Sequence, residues 1–340
     1  VNLPAGTAGA GVAFADYAKT FDTGNLTLVQ NGSDKIGGST NNATVSTQGI
    51  AVTLVFVDST KGWIVTDDGQ ESEASTNPFI CATGGTITNT PTCRIHTFTG
   101  PGTFTVSKAA AASANNLVSY VIVAGGGGGG GSPGSDAGGG GGAGGYREVK
   151  SPVTPYTASP LCGHGTPGNR VTVVTDSYPI VVGSGGSGGA KQPGPSGCGC
   201  GGAGTNSSFG GITAAGGGRG QAQGINPTPS NANGGSGAGA GGGNGYAKPA
   251  GVGNTPPTTP AQGNPGGTNV PSPQGPPDGA AGGGGGAGSA GTPGASPGQG
   301  PGSGPGGNGT ASEITGSSVT RAGGGGGGVG GSGGPGGGAN

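Results

Sequence analysis

Residues 119–132 read SYVIVAGGGGGGGS, a β-strand pattern that runs directly into an unbroken block of glycine. Either the block is a linker, loose because nothing holds it, or it is the working architecture of the protein. Further glycine-rich blocks occupy 138–145, 183–189, 216–218, 234–243, 282–286 and, with interruptions, 323–338; Pro, Asn, Ser and Thr dominate the stretches between them. A solvated Gly/Ser linker has no use for the apolar and aromatic residues set at the block edges: Tyr120-Val-Ile-Val123, Tyr178-Pro-Ile-Val-Val182, Phe209-Gly-Gly-Ile212 and Tyr246. These read as strands and plugs that seal the ends of an ordered bundle.

Collagen is the first ordered alternative, and it needs Gly at every third position because only Gly fits the crowded axis. Gly298-Gln-Gly-Pro-Gly-Ser-Gly-Pro-Gly-Gly307 breaks that period repeatedly, so collagen fails. What remains is a left-handed extended helix of the polyproline type, with three residues per turn and no internal hydrogen bonds. Without Cβ atoms, several such helices laid side by side bond backbone to backbone in all directions. Glycine is the costliest residue to order, so short blocks brought together repeatedly are required.

The chain has 340 residues, of which 94 are Gly and 28 Pro, with 29% hydrophobic and 7% charged. An ordinary globular mixture holds about 7% Gly and about 25% charged residues. Only the front third resembles one. It carries the sole Trp and most of the acids: Asp16, Asp22, Asp34, Asp58, Asp67, Asp68, Glu71 and Glu73 against Lys19, Lys35, Lys61 and Arg94. No basic stripe exists to neutralise phosphates, which argues against a nucleic-acid partner. Nor is there an apolar run of about 20 residues, so membrane insertion is not expected. No signal-peptide pattern is seen; Val1 and the lack of Met suggest that the natural start lies upstream.

Val52-Thr-Leu-Val-Phe-Val57 and Trp63-Ile-Val65, separated by a polar, Gly-containing loop, predict a hairpin. Asp67-Asp68-Gly69 is expected to end it. Asn25-Leu-Thr-Leu-Val29 before Asn31-Gly32 gives another strand and turn. Helix support over 14–21 is weak. A domain this small is marginal alone, and the Val52 strand is apolar on both faces, a first pointer to a homo-oligomer. Further strands are expected at Ile95-His-Thr-Phe98, at Thr103-Phe-Thr-Val106 after a Gly-Pro-Gly turn, and over 117–124; the Ala run within 108–116 is too short for a lone helix. The domain plan is therefore a β module over 1–75, a connector over 76–94 and a glycine-rich domain over 95–340. The fold class is mainly β, small N-terminal β modules followed by a packed polyglycine II bundle or sandwich with long irregular loops.

Chemistry is sparse. A hydrolase needs a pair of carboxylates in a rigid cleft, yet past residue 120 only Asp136, Glu148, Asp176, Asp278 and Glu313 are present, widely separated. Asp67, Asp68, Glu71 and Glu73 are denser but read as a solvated surface. No glycine block is followed by the Gly-Lys-Ser or Gly-Lys-Thr of a nucleotide loop. Cys198-Gly-Cys200 lacks the usual zinc-ligand spacing of about two to four intervening residues. Cys81, Cys93, Cys162, Cys198 and Cys200 are an odd set, in which Cys81 with Cys93 is one conceivable bridge. No catalytic residue, metal or cofactor is expected; His96 reads as an ordinary strand residue. Recognition residues concentrate in loops on rigid scaffolds, and the longest candidates are 146–176, 221–232, 246–278 and 289–320. Within them Tyr146, Tyr156, His164 and Tyr246 are best suited to stack on a sugar or fill a protein pocket, because a ring gives large contact at low entropy cost. For Tyr146 and Tyr246 the competing role is closing the ends of glycine segments.

The order Gly102-Thr-Phe-Thr-Val106, Tyr120-Val-Ile-Val-Ala-Gly-Gly-Gly-Gly128, Tyr178-Pro-Ile-Val-Val-Gly-Ser-Gly-Gly186 and Ser207-Ser-Phe-Gly-Gly-Ile-Thr-Ala-Ala-Gly-Gly217 resembles the glycine-rich domain of bacteriophage tail-fibre and tail-tip proteins. Phe14-Ala-Asp-Tyr17, Leu26, Asn31-Gly-Ser33 and Val52-Thr-Leu-Val-Phe-Val-Asp-Ser-Thr-Lys-Gly-Trp63 are similar to a β module upstream in such fibres. In the distal adhesins of that group, packed polyglycine II helices hold variable loops that bind the host surface. The resemblance implies a scaffold that includes Gly125, Gly128, Gly131, Gly138, Gly142, Gly216, Gly239, Gly282, Gly286, Gly323 and Gly328. It also implies a non-enzymatic virion structural protein of a tail fibre or tip, a homotrimer on the virion surface, assembled in the host cytoplasm. Its partners would be other phage tail or fibre proteins and a host surface glycan or outer-membrane protein. The chain departs from those adhesins in lacking their attachment region and in having Pro-rich loops. An extracellular or virion-surface glycine-rich structural protein without receptor-binding activity is the alternative.

Overall fold

The computed structural model describes residues 1–70, 78–132, 137–190, 199–222, 232–243, 247–271, 279–295, 302–328 and 330–336. The chain divides into two compact units, 1–76 and 77–340. Among the described residues every strand pairing is antiparallel and no α-helix occurs, only three short 3-10 turns.

In the first unit β1 (Gly11–Ala15), β4 (Ile50–Asp58) and β5 (Gly62–Gln70) form one sheet with β4 central, and β2 (Leu26–Leu28) pairs with β3 (Ala43–Val45). Alternation on β4 buries Val52, Leu54 and Phe56 against Trp63, Leu3 and Leu28, with the Phe56 and Trp63 rings edge-on at 5.5 Å. Thr53, Val55 and Val57 on the other face are only partly covered in this chain. Gly62 closes the hairpin at φ +72°, and a Cβ there would lie 1.8 Å from the Lys35 carbonyl oxygen, so only glycine serves. The end expected at Asp67-Asp68-Gly69 is instead strand: β5 continues to Gln70, and a register shift between Thr53 and Leu54 absorbs the irregularity. Both aspartates are exposed on an edge strand, where their charges cost little and discourage further pairing. Residues 71–77, including Glu71 and Glu73, lie outside the described residues. β1 falls in a stretch that shows little strand signal. The turn after it is held by the Asp16 carboxylate, which accepts from the N–H groups of Thr20 at 2.9 Å and of Phe21 and Gly49 at 3.0 Å.

The stretch read as connector contributes strands to the second unit. β6 (Cys81–Thr83) and β12 (Asp176–Ile180) flank β9 (Gly102–Lys108), while β7 (Thr86–Asn89) pairs with β8 (Arg94–Thr97). Threonine supplies the β-branched residues of these short strands in place of an apolar run. His96 donates its Nδ1–H to the Gly84 carbonyl, 2.8 Å away, and its ring meets Phe104 edge-on. β10 (Tyr120–Val123) pairs with β11 (Tyr146–Val149), and β13 (Ser207–Phe209) turns through Gly210 and Gly211, both at positive φ, into β14 (Ile212–Ala214). The block-edge aromatics Tyr120, Tyr178 and Phe209 converge with Phe104, ring centroids 5.8–6.4 Å apart, over Ile122, Val149, Val171, Val173 and Ala214. Near the C-terminus β15 (Thr310–Ser312) pairs with β16 (Val319–Arg321).

Between these strands the backbone bonds to itself with a three-residue recurrence. Gly125, Gly128 and Gly131 donate to the carbonyls of Thr205, Gly202 and Gly199 at 3.0, 2.9 and 2.6 Å. Gly127 and Gly130 donate to Gly142 and Gly139, while Gly126 and Gly129 accept from Gly186 and Gly189. Successive residues thus address three different neighbours, and every third returns to the same one. Further bonds between segments run from Gly142 to Gly218, Gly239 to Gly140, Gly282 to Ala240, Gly323 to Gly336 and Gly328 to Gly138, whereas Gly286 closes a local turn to Ser289 and Gly216 donates to the Asn206 side chain.

Candidate functional site

Segment 125–131 leaves β10 and 138–145 returns antiparallel into β11, so β10 and β11 mark one end of the glycine array. Two loops and a hairpin assemble there. Loop 150–175 follows β11; loop 253–263 is tied in by the Tyr146 N–H, which donates to the Gln262 carbonyl at 2.8 Å; and the β15–β16 hairpin docks through Ser312 and Glu313.

Alternation along β11 divides its polar residues between two faces. On one, Glu148 is 2% exposed and accepts from the Tyr146 hydroxyl at 2.8 Å, the Ser159 N–H at 2.9 Å and the Ser312 hydroxyl at 2.6 Å. Thr157 and Glu313 exchange backbone and side-chain bonds beside it. Burial, and after it the Glu148 charge, pushes the Tyr146 and Tyr156 hydroxyls well above the ordinary tyrosine value. On the other face Arg147 donates to the Asn169 side-chain oxygen. Asn169 in turn donates to Gly163 and Thr259 carbonyls at 3.2 and 2.7 Å, and its own carbonyl accepts from the Tyr120 hydroxyl at 2.7 Å. One buried asparagine, through its side-chain amide and its backbone carbonyl, therefore joins β10, β11 and both loops.

Loop 253–263, in the Pro-rich stretch least like the resembled fibres, is internally stapled. Asn254 at φ +53° accepts at Oδ1 from the Thr258 N–H and hydroxyl and from the Gln262 N–H. Buried Gln262 donates to Pro256 and accepts from the Ala215 N–H, both within 2.8 Å. A shallow cavity of about 380 Å³ lies between the two loops, lined by Arg147, Thr166, Asn169, Pro257, Thr258 and Thr259. A second of about 430 Å³ is lined by Arg170, Thr172, Tyr178, Ser208 and Thr213, among others.

Of the recognition candidates, Tyr146 is a strand residue only 1% exposed; its ring packs with Ala143, Ala287 and Ala322 and presents no face to a ligand. That position suits its competing role, closing the end of the glycine segments. Tyr156 is partly covered, its hydroxyl 3.4 Å from the Val149 carbonyl and Lys150 6.0 Å above its ring. His164 lies on the 3-10 turn Gly163–Gly165, its Nδ1 buried without a hydrogen bond. Tyr246 falls outside the described residues, as do 223–231, 272–278 and 296–301 of the candidate loops. Tyr146, Tyr156 and His164 are thus not gathered into one aromatic platform. Arg147, Glu148, Asn169, Asn254 and Gln262, which organise this end, carried one available signal: Arg147-Glu148 is a charged pair inside a strand in a region nearly devoid of charge.

Both Glu148 oxygens are engaged by donors. Among the described residues no group of three or more His, Cys, Asp or Glu could hold a metal ion, and no helix is long and apolar enough to cross a membrane. Cys81, Cys93 and Cys162 are not disulfide-bonded, so the conceivable Cys81–Cys93 bridge is not made; Cys200 is disulfide-bonded, and Cys198 and Asp136 lie outside the described residues.

A family model described as a glycine-rich domain matches residues 97–340, more than two thirds of the chain. No curated protein and no solved structure matches.

Proposed function

The chain belongs to the glycine-rich domain family, and from that premise we propose that it is a non-enzymatic structural protein of a phage tail fibre or tail tip, whose glycine array carries loops that contact the host-cell surface. The array is a bundle of polyglycine II helices. One observation carries this reading: the hydrogen bonds recur every third residue to the same neighbour while successive residues address different ones. A helix with three residues per turn and no internal bonds turns its donors outward in three directions, which is the supply such a lattice needs. A scaffold without side chains confines recognition to what projects from its ends, and the stapled loops 150–175 and 253–263 are rigid enough to present a constant surface. The protein acts as a homotrimer on the virion surface, assembled in the host cytoplasm with other tail proteins, and meets a host glycan or outer-membrane protein.

The test is adsorption of particles in which 151–175 and 254–262 are exchanged for loops of equal length. Altered host range with normal assembly supports the reading. Unchanged host range with normal assembly reduces the protein to the alternative, a structural component with recognition elsewhere. The inward-facing Tyr146 and the half-covered Tyr156 favour that alternative at those two side chains.

A further inference from the structure

Arg147 is 9% exposed, and among the described residues its one side-chain hydrogen bond goes to the neutral Asn169 amide. A guanidinium stays charged at any pH a protein meets, and a buried charge is costly unless it is paired. Glu148, the adjacent acid, is turned to the opposite face and saturated by Tyr146, Ser159 and Ser312. Burial pulls the Arg147 pKa down, the Tyr120 hydroxyl acts weakly against it, and among the described residues no carboxylate does. Among those residues the cation is therefore held without a carboxylate partner.

It is also held beside empty space. Arg147 lines the cavity of about 380 Å³ with Thr166, Asn169, Pro257, Thr258 and Thr259, at the small end of the range for ligand sites of roughly 300–1,000 Å³. The walls are fixed: Asn169 bonds to Gly163 and Thr259, and Thr258 bonds to Asn254 and Pro260. One cation among hydroxyls, an amide and a proline ring suits a monoanion that also carries hydroxyl groups. A phosphate dianion asks for a second positive charge, and among the described residues no second cation lines the cavity.

We propose that this cavity binds a carboxylate-bearing sugar. The carboxylate pairs with the Arg147 guanidinium, whose planar fork matches it, and the sugar hydroxyls face Thr166, Thr258 and Thr259. The assignment rests on the host-surface reading for where such a sugar comes from, whereas the binding itself is measurable alone.

The experiment is an NMR titration of the full chain with D-glucuronic acid and N-acetylneuraminic acid, with methyl glucoside and inorganic phosphate as controls. Acidic sugars should shift Thr166, Asn169 and Thr259 and bind at least tenfold more tightly than either control. Arg147→Gln should weaken them at least tenfold. Thr166→Val removes a hydroxyl that makes no hydrogen bond in the folded chain, so it leaves the fold intact and should weaken them about threefold; it carries the test if the Arg147 variant does not fold. Absent binding, equal binding to Arg147→Gln, or phosphate binding as tightly as the acidic sugars would overturn the proposal. Whole-cell binding with the same preparation separates the two readings. Cell binding without acidic-sugar binding overturns this site alone, and acidic-sugar binding without cell binding keeps the site and overturns the receptor reading.

Discussion

Replacing Gly127 by Ala probes the glycine array at a close approach of two segments. The added Cβ would sit 2.0 Å from the Gly218 carbonyl oxygen and 2.6 Å from its carbon, backbone atoms that cannot swing aside. Forcing the two segments apart costs roughly 1–3 kcal/mol as overpacking. It also strains the bonds that tie them to a common neighbour, Gly127 to Gly142 and Gly142 to Gly218, at about 1 kcal/mol each. Against this, Ala restricts the unfolded chain and returns about 0.4–1 kcal/mol. The net expectation is a loss of about 3 kcal/mol. One residue away the balance reverses: a Cβ on Gly126 meets nothing nearer than the Gly142 oxygen at 3.6 Å, an ordinary contact. Gly126→Ala should therefore be neutral or more stable by up to about 1 kcal/mol. Gly128→Ala, with the Ser187 oxygen 1.9 Å away, should behave like Gly127→Ala, and Gly129→Ala, at 3.8 Å, like Gly126→Ala. Urea unfolding of the four variants reads the pattern, and a loss of 3 kcal/mol corresponds to a melting point lower by roughly 6–12 °C in a unit of this size. Four midpoints equivalent to within about 0.5 kcal/mol, or Gly126→Ala the worst, would refute a lattice in which position modulo three decides packing.

Glu148→Gln leaves one of its three donors facing an amide N–H₂, so it should cost about 1–3 kcal/mol and raise hydrogen exchange in β15, which Glu148 holds through Ser312; unchanged exchange there would remove Glu148 from the docking of the hairpin. Asn254→Ala deletes an acceptor of three bonds at a positive φ. It should loosen 254–262 and lower stability by about 1–3 kcal/mol, seen as lost exchange protection at Thr258 and Gln262, whose retention would count against the staple. The Tyr120 hydroxyl is pushed by burial from 10.0 up to about 12. Its folded pKa exceeds the unfolded one, so its contribution to stability is complete below pH 10 and lost as pH climbs to about 12. Phenolate absorbance should rise late and together with unfolding, the late amplitude falling in Tyr120→Phe, and ionisation of Tyr120 near pH 10 in the folded state would contradict its burial. Cys81 and Cys93 should both alkylate without reductant in the denatured chain, whereas a Cys81–Cys93 crosslinked peptide in a non-reduced digest would overturn the absence of that bridge.

Local patterns were legible in the sequence wherever a short apolar run and its turn residues specify structure between neighbours. Although Phe209-Gly-Gly-Ile212 reads only as a block edge and folds as the β13–β14 hairpin, the β4–β5 hairpin around Gly62 and the strand at Tyr120 entering the glycine block follow from alternation and turn chemistry. So does the convergence of block-edge aromatics, because large apolar side chains in a glycine-rich chain have few other places to be buried. Even there, pairing was not legible: β8 and β9 are consecutive, yet each bonds to another strand. The Asp67-Asp68-Gly69 stretch reads as a turn although an exposed edge tolerates it as strand.

What the sequence alone determined is therefore the mainly β class and the participation of the glycine blocks in ordered structure, since strands and aromatics at their edges are meaningless beside a loose linker. Only the tertiary structure decided which segment bonds to which, because glycine carries no side chain to encode a partner; register is set by the strands and loops at the ends and by the steric rule that an approaching carbonyl tolerates no Cβ. The same holds for the candidate site. Tyr146 was visible as an aromatic and Arg147 as a charge, but strand alternation and packing buried the ring and brought the cation to the cavity wall beside residues more than a hundred positions away, such as Thr258 and Thr259. Burial and long-range convergence depend on where the whole chain closes upon itself, and no short window of sequence contains that closure.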